Sequence, residues 1–261
     1  MGVLNVTPDS FSDGGRFAAR DAALRHAESM QADGAALIDI GGESTRPGAA
    51  DVGEAEELDR IIPVIEAVSR AVDVPISVDT SKATVMREAV AAGAALLNDV
   101  AALQEPGSLE AAAELDVPVC LMHMQGKPRT MQTNPVYDDV AGEVADFLAA
   151  RVEACVSAGI SRQSILIDPG FGFGKSHTHN IDLLANLRQL QELGLPVLVG
   201  LSRKSTLGEL TGRPVDERLP ASIAAAVVAV AAGAVVVRAH DVAETLDALR
   251  IVNAVMEARH V

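Results

Sequence analysis

Ser164-Ile165-Leu166-Ile167-Asp168-Pro169-Gly170-Phe171-Gly172-Phe173-Gly174 begins as a short aliphatic run, stops on a carboxylate and gives way to a loop of alternating glycines. The same pattern recurs along the chain. Runs rich in Val, Ile and Leu end in a polar residue eight times, at Asn5, Asp39, Asp79, Asn98, His123, Asp168, Lys204 (after Ser202 and Arg203) and Arg238, with His240 two residues on. Seven steps from Asn5 to Arg238 average about 33 residues, the length of one strand–helix unit. Eight such units close a parallel barrel, and the C-terminal ends of its strands face one site. The expected fold class is therefore α/β, a (β/α)8 TIM barrel, with residues 1–261 forming a single domain.

Expected strands are Gly2–Val6, Ala36–Ile40, Pro75–Val78, Ala95–Asn98, Pro118–Met122, Ser164–Ile167, Pro196–Gly200 and Ala234–Arg238. Most lack polar alternation, as strands buried on both faces do. Between them lie amphipathic segments: Ala18–Ala32, Glu54–Val72, Lys82–Ala92, Ser108–Leu115, Asp138–Ala158, Asn180–Leu193, Leu219–Ala232 and Ala243–Arg259. Gly34, Gly93, Gly159, Gly194 and Gly233 each follow a helical segment, where a C-terminal cap calls for positive φ. Long polar loops leave the first, second and fifth strands (Thr7–Phe17, Gly41–Gly53, Gln125–Tyr137), a concentration on one face that suits a ligand.

Composition narrows the function classes. With 36 acidic against 21 basic residues there is no basic face for a phosphate backbone, so nucleic acid is not an expected partner. No Trp, one Tyr and five Phe leave the core to small branched side chains, as layered barrel packing prefers. Cys120 and Cys155 sit in apolar contexts and read as buried thiols in a reducing compartment. Met1 leads into the first strand without a basic leader, so a cytoplasmic location is expected. Leu219–Val237 carries no charge, but Pro220, Ser222 and Gly233 interrupt it. It reads as a buried helix followed by a buried strand, and no membrane span is expected.

Chemistry concentrates at the strand ends. Asn5-Val6-Thr7-Pro8-Asp9-Ser10-Phe11-Ser12-Asp13-Gly14-Gly15 has the composition of a lid. In Asp39-Ile40-Gly41-Gly42-Glu43-Ser44-Thr45-Arg46-Pro47-Gly48 the paired glycines suggest close backbone approach to a ligand. Arg46 offers a planar fork for a carboxylate, the alternative being a pair with Glu43. Asp79, Asn98 and Asp168 aim acceptors at one pocket and suit a flat heterocycle with amino and ring N–H groups; an N-cap role is the alternative for Asp79. Arg238 and His240, two apart on a strand, share a face and suit an anionic leaving group. His123 is the weakest candidate and reads as part of the wall. Zinc spacings, nucleophile elbows and Walker loops do not occur.

Together these segments resemble dihydropteroate synthase. The resemblance rests on Asn5–Gly15, Gly41–Gly48, Ser77–Thr80, Asn98-Asp99, Asp168–Gly174, Ser202–Ser205 and Arg238–Asp241, in order over nearly the whole chain. It implies condensation of 6-hydroxymethyl-7,8-dihydropterin pyrophosphate with p-aminobenzoate, helped by Mg2+. It assigns the pterin to Asp79, Asn98, Asp168 and Lys204, with Met122 beneath the ring and Arg238 stacking over it. Pyrophosphate goes to Asn5, Arg238 and His240, and Asn5 also meets the metal. The aminobenzoate lies near Thr45, Arg46, Pro47, Phe173 and Ser205, while Phe11 and Asp13 close the lid. Asp79, Lys204, Arg238 and Asp13 carry the catalytic roles. A homodimer is expected through the apolar helix Leu219–Ala232. Two other readings compete: a methyltetrahydrofolate methyltransferase-type barrel, which needs no pyrophosphate site, and a non-catalytic pterin-binding paralogue.

Overall fold

The computed structural model describes residues 1–6, 15–44 and 51–258. Among the described residues are eight parallel strands: β1 (Gly2–Asn5), β2 (Ile38–Gly41), β3 (Ile76–Asp79), β4 (Leu96–Asp99), β5 (Val119–Met122), β6 (Ile165–Asp168), β7 (Leu198–Val199) and β8 (Val236–Val237). β1 to β6 pair in chain order, and β7 pairs with β8. Single bridges, Ile167 to Val197 and Gly2 to Ala239, join the two sheets at both seams and close the ring. The barrel is thus the one expected, with β7 and β8 shorter than their apolar runs. Pro75, Pro118 and Pro196 each precede a strand. A proline can accept but not donate in a ladder, and their carbonyls take Ile38 N, Leu97 N and Ile167 N at 3.1, 2.9 and 3.0 Å.

Both strand faces are buried, which explains the missing alternation. Leu4, Ile40, Val78, Leu97, Leu121, Ile167 and Val199 point outward into one core shared with the helices. Leu96, Cys120 and Leu198 pack inside the ring with Met1, Leu37, Leu166 and Val236, forming an apolar plug at its base. Each side chain in such a plug contributes roughly 1.5–3 kcal/mol of burial. One residue pair further along the strands, the inward positions become Asn5, Asp39, Asp79, Asn98, Asp168 and Arg238. Period-two geometry therefore converts an apolar base into a polar mouth.

The helices are α1 (Gly15–Ala32), α2 (Glu54–Ala71), α3 (Ala83–Ala91), α4 (Ser108–Leu115), α5 (Val140–Ser157), α6 (His177–Ala185), α7 (Ser205–Thr211), α8 (Leu219–Ala231) and α9 (Val242–Ala258). α2 shows the logic of the layer: Ile61, Val64, Ile65 and Val68 recur at helical spacing and are buried. The five expected capping glycines all have positive φ, from +65° at Gly194 to +116° at Gly93.

Two helical expectations differ. Asn180–Leu193 is not one helix. α6 starts earlier, at a Ser176–His179 capping box, and stops where Asn186 turns its side chain back onto the Asp182 carbonyl at 2.8 Å. A 3-10 stretch, Leu187–Leu193, follows. The short α7 is an additional element, ended by Gly212 at φ +67°. Leu219–Val237 divides into α8 and β8, and no described helix is long and apolar enough to cross a membrane.

Candidate active site

Arg238 leaves the end of β8 and enters the barrel mouth. Its Nε lies 2.6 Å from Asp39 Oδ2 and its Nη2 3.1 Å from Asp79 Oδ2. Asn98 Nδ2 donates to the same Asp39 oxygen at 3.2 Å. One guanidinium thereby joins β8 to β2 and β3, and Asp39 brings in β4 through Asn98. Burial first, and Asp39 second, push the Asp79 carboxyl up to about 7 against the pull of Arg238. Burial works against the charge on Arg238, but Asp39 and Asp79 outweigh it and hold its pKa above the ordinary value. Asp79 does not cap α3. Lys82 occupies that N-cap position, without a side-chain cap bond.

Asp168 closes the other side. Its Oδ1 accepts from Gly170 N at 2.7 Å, and burial pushes its carboxyl up to about 6 despite that bond and the nearby cations Lys204, Lys175 and Arg238. Lys204 is driven down to about 8 by burial, with Asp168 opposing. Its Nζ stands 4.2 Å from the centroid of the Phe173 ring, within cation–π range. Met122, paired in register with Asp168, packs with Met131 and Phe173 into an apolar floor. Asn5 ends β1 in register with Gly41, which pairs in turn with Asp79.

The rim is built differently. His240 Nδ1 lies 2.9 Å from Ser202 Oγ, which also accepts from His240 N at 3.3 Å. His240 is thus tied to the loop after β7, while Arg238 reaches inward to the carboxylates. Ser205 is exposed at the start of α7. Phe11, Asp13, Thr45, Arg46 and Pro47 lie outside the described residues.

Lys82 and Glu43 anchor the two ends of the loop after β2. Glu43 accepts from Val52 N at 3.2 Å, and Lys82 Nζ sits 2.5 Å from both Glu43 Oε2 and Glu57 Oε2. Of the paired glycines, Gly42 has another purpose than the one expected. A Cβ on Gly42 would stand 2.6 Å from Ile61 Cγ2 and 3.2 Å from Glu57 Cγ, so this glycine makes room for α2 rather than for a ligand.

Two residues of the site were not assigned from sequence. Asp39 was visible as a strand end, and its inward phase matches Asp79 and Asn98; it is fully buried on Arg238. Lys175 closes the glycine loop and is 2% exposed. His123 belongs to the wall, as expected. Its ring packs edge-on against Phe147, and burial, then Lys175, lower its pKa to about 3.

The loop after β6 depends on backbone that only glycine adopts easily. Gly170 has φ +68°, and a Cβ there would come 1.9 Å from the His123 carbonyl oxygen. Gly170→Ala is expected to cost ~2 kcal/mol or more, lowering Tm by about 4–8 °C in thermal unfolding. An unchanged Tm would contradict this account of the loop.

Residues 1–240 match the family model described as pterin binding enzyme. The dihydropteroate synthase of Escherichia coli (strain K12) is 53% identical over 259 residues, covering 99% of this chain and 92% of that protein. Among solved structures, Yersinia pestis dihydropteroate synthase in a sulfonamide drug complex superposes with a TM-score of 0.94 at 56% identity, covering 98% and 94% of the two chains. Xanthomonas albilineans dihydropteroate synthase in complex with 7,8-dihydropteroate gives 0.90 at 52% identity, covering 98% and 92%. With that agreement across its length, and with inward acceptors and cations at its strand ends, the chain belongs to the pterin-binding enzyme family.

Proposed function

We propose that this chain works as a dihydropteroate synthase, condensing 6-hydroxymethyl-7,8-dihydropterin pyrophosphate with p-aminobenzoate to give 7,8-dihydropteroate and pyrophosphate. The observation that carries the reading is the mixed charge of the mouth. Carboxylates and an amide (Asp79, Asn98, Asp168) line it, and cations (Arg238, Lys204) stand among them, in a relative of enzymes with that name.

Breaking the pterin carbon–oxygen bond leaves positive charge on the pterin and negative charge on departing pyrophosphate. Fixed, desolvated groups of opposite sign stabilise that separation without reorganising. Asp79 and Asp168 accept from the pterin N–H groups, Met122 supports the ring, and Arg238 and Lys204 face the developing charges. Asn5 and His240 lie toward the pyrophosphate. The amine of p-aminobenzoate is already nucleophilic, so no strong general base is needed. Phe173, beside Lys204, and Ser205 are the described candidates for its pocket, with Thr45, Arg46, Pro47 and the lid residues Phe11 and Asp13 completing it.

Mg2+ fits this site as a companion of the substrate. The described residues hold no cluster of three acid, His or Cys groups, and Asn5 contributes a single amide oxygen. Mg2+ prefers phosphate oxygens and waters, so one protein oxygen at the mouth suffices. When bound, it would neutralise charge on the leaving pyrophosphate.

We further propose a homodimer through α8 and its neighbour α9. Val228 on α8, Val235 just before β8, and Ile251 and Val255 on α9 are 51, 67, 69 and 49% exposed. Cys120 and Cys155 are buried free thiols, in keeping with reduced cysteines and a cytoplasmic setting. Small-molecule substrates, without nucleic acid or membrane, complete the proposal, and sulfonamides are expected to compete with p-aminobenzoate.

Purified protein supplied with Mg2+, dihydropterin pyrophosphate and p-aminobenzoate is expected to release pyrophosphate and form dihydropteroate. Pterin binding without product would support a non-catalytic paralogue. Methyl transfer from methyltetrahydrofolate would support the methyltransferase reading.

A further inference from the structure

Lys175 is a cation that the condensation chemistry leaves unused. Its Nζ lies 2.8 Å from His123 Nδ1, 3.0 Å from Gly170 O and 3.1 Å from Phe173 O. An ammonium has three N–H donors, and these are three acceptors. Burying such a charge costs several kcal/mol unless it is paired and hydrogen-bonded. A position of that kind calls for a physical reason.

The surroundings supply one. Gly170, Gly172 and Gly174 have φ of +68°, +82° and +62°, so the loop after β6 has little stiffness of its own. Ties from outside hold it. Asn180 Oδ1 accepts from Gly172 N at 2.7 Å, and Tyr137 Oη donates to Gly174 O at 2.8 Å. Lys175 is the tie from within: it spans the loop from Gly170 to Phe173 and fastens both to β5 through His123. At one end of this loop Asp168 faces the mouth, and near the other Phe173 meets Lys204.

We propose that Lys175 is a positioning residue for the condensation: its buried Nζ sets Asp168 and Phe173 in place and, when protonated, puts positive charge behind the Asp168 carboxylate. Burial lowers the pKa of Lys175 to about 7 against the pull of Asp168, so the ammonium is the prevailing form on the acid side of that value, where the carboxylate titrates. This role deepens the reading above, in which Asp168 takes the pterin. It also requires His123 to accept at Nδ1, so that the ring is neutral and its proton sits on Nε2. The low pKa of His123, from burial and then Lys175, agrees.

The charged neighbours of Asp168 are Lys175 on its own loop, Lys204 after β7 and Arg238 after β8. Arg238 in turn holds Asp39 and Asp79, and Cys120 and His123 lie on the β5 side. Lys175→Met keeps the unbranched stem as far as Cε and removes the ammonium with its donors. Losing a cation beside a carboxylate raises the carboxylate's pKa. Binding that needs the carboxylate then fails at a higher pH.

Calorimetric titration with dihydropterin pyrophosphate, without p-aminobenzoate, tests this from pH 5.5 to 8.5. Lys175→Met is expected to weaken binding about tenfold or more at pH 7 and to move its acid limb up by about one unit. An affinity within about twofold of wild type and an unmoved limb would overturn the proposal, whatever the loss in Tm. Should that variant fail to fold, 15N NMR of the His123 ring in the unaltered protein decides. A neutral ring protonated on Nε2 down to about pH 5 supports the geometry, and a proton on Nδ1 or titration near about pH 6.5 refutes it. Wild-type protein that binds no pterin would sink the broader functional reading instead.

Discussion

Arg238→Met is expected to cut kcat/KM for the condensation by about 10³-fold or more and to destabilise the fold by about 3–5 kcal/mol at pH 8. Both losses come from one geometry. The guanidinium lies against Asp39, whose side chain is 0% exposed, and Asp79, at 12%. Methionine leaves two carboxylates facing each other, with Asn98 Nδ2 as the remaining donor to Asp39. Protonation relieves that repulsion. The variant's deficit therefore shrinks as pH falls through the carboxylate range, with Asp79, already raised to about 7, the first to take a proton. Urea unfolding at pH 8 and pH 5.5 reads this directly, and an equal deficit at both would rule out the buried-carboxylate account. Arg238→Lys keeps a charge but loses the fork that spans β2 and β3. It is expected to recover part of the stability and little of the turnover. Arg46→Ala, outside the described residues, is expected to raise the KM for p-aminobenzoate and leave kcat nearer the wild-type value.

The barrel was legible because its signal is periodic. Each strand is one apolar run, each run has an inward phase, and that phase brings Asn5, Asp79, Asn98, Asp168 and Arg238 to one mouth from five separate stretches of chain. Asp39 shares the phase, yet sequence does not show how deep a residue lies. Its role as the buried counter-ion of Arg238 depends on a contact across 199 residues. Lys175 is harder still. A lysine after a glycine loop ordinarily faces water, and its partners are two carbonyls and an imidazole 52 residues away. Local chemistry also decided the helices. α7 has two turns and an exposed Leu210, too little for a periodic stripe, and the side chain of Asn186 halts α6 inside a run of good helix formers. Gly42 was noticed for the right property and given the wrong partner, since sequence shows that a Cβ is missing but not which neighbour fills the space.

Asp79→Asn is expected to move stability and activity in opposite directions. In the folded state the Asp79 carboxyl is raised from 3.8 to about 7, by burial and then by Asp39. A raised acid binds its proton more tightly folded than unfolded. Its contribution to stability is therefore complete below about pH 3.8 and is lost as pH rises through about 7. At pH 8 the charged carboxylate is a cost, because one guanidinium lies between two buried carboxylates and Asp39 is the closer partner, 2.6 against 3.1 Å. Asparagine is neutral at every pH and keeps an acceptor toward Arg238 Nη2. It is expected to raise stability at pH 8 by about 1–2 kcal/mol, or about 2–8 °C in Tm, by less at pH 5, and by close to nothing only below about pH 3.8. Turnover goes the other way. An amide offers no negative charge to a pterin becoming cationic, and kcat/KM is expected to fall by about 10²–10³-fold. A lower Tm at pH 8 would mean that the Asp79–Arg238 pair stabilises the mouth on balance, and the view of this carboxylate as strain held for catalysis would have to be abandoned.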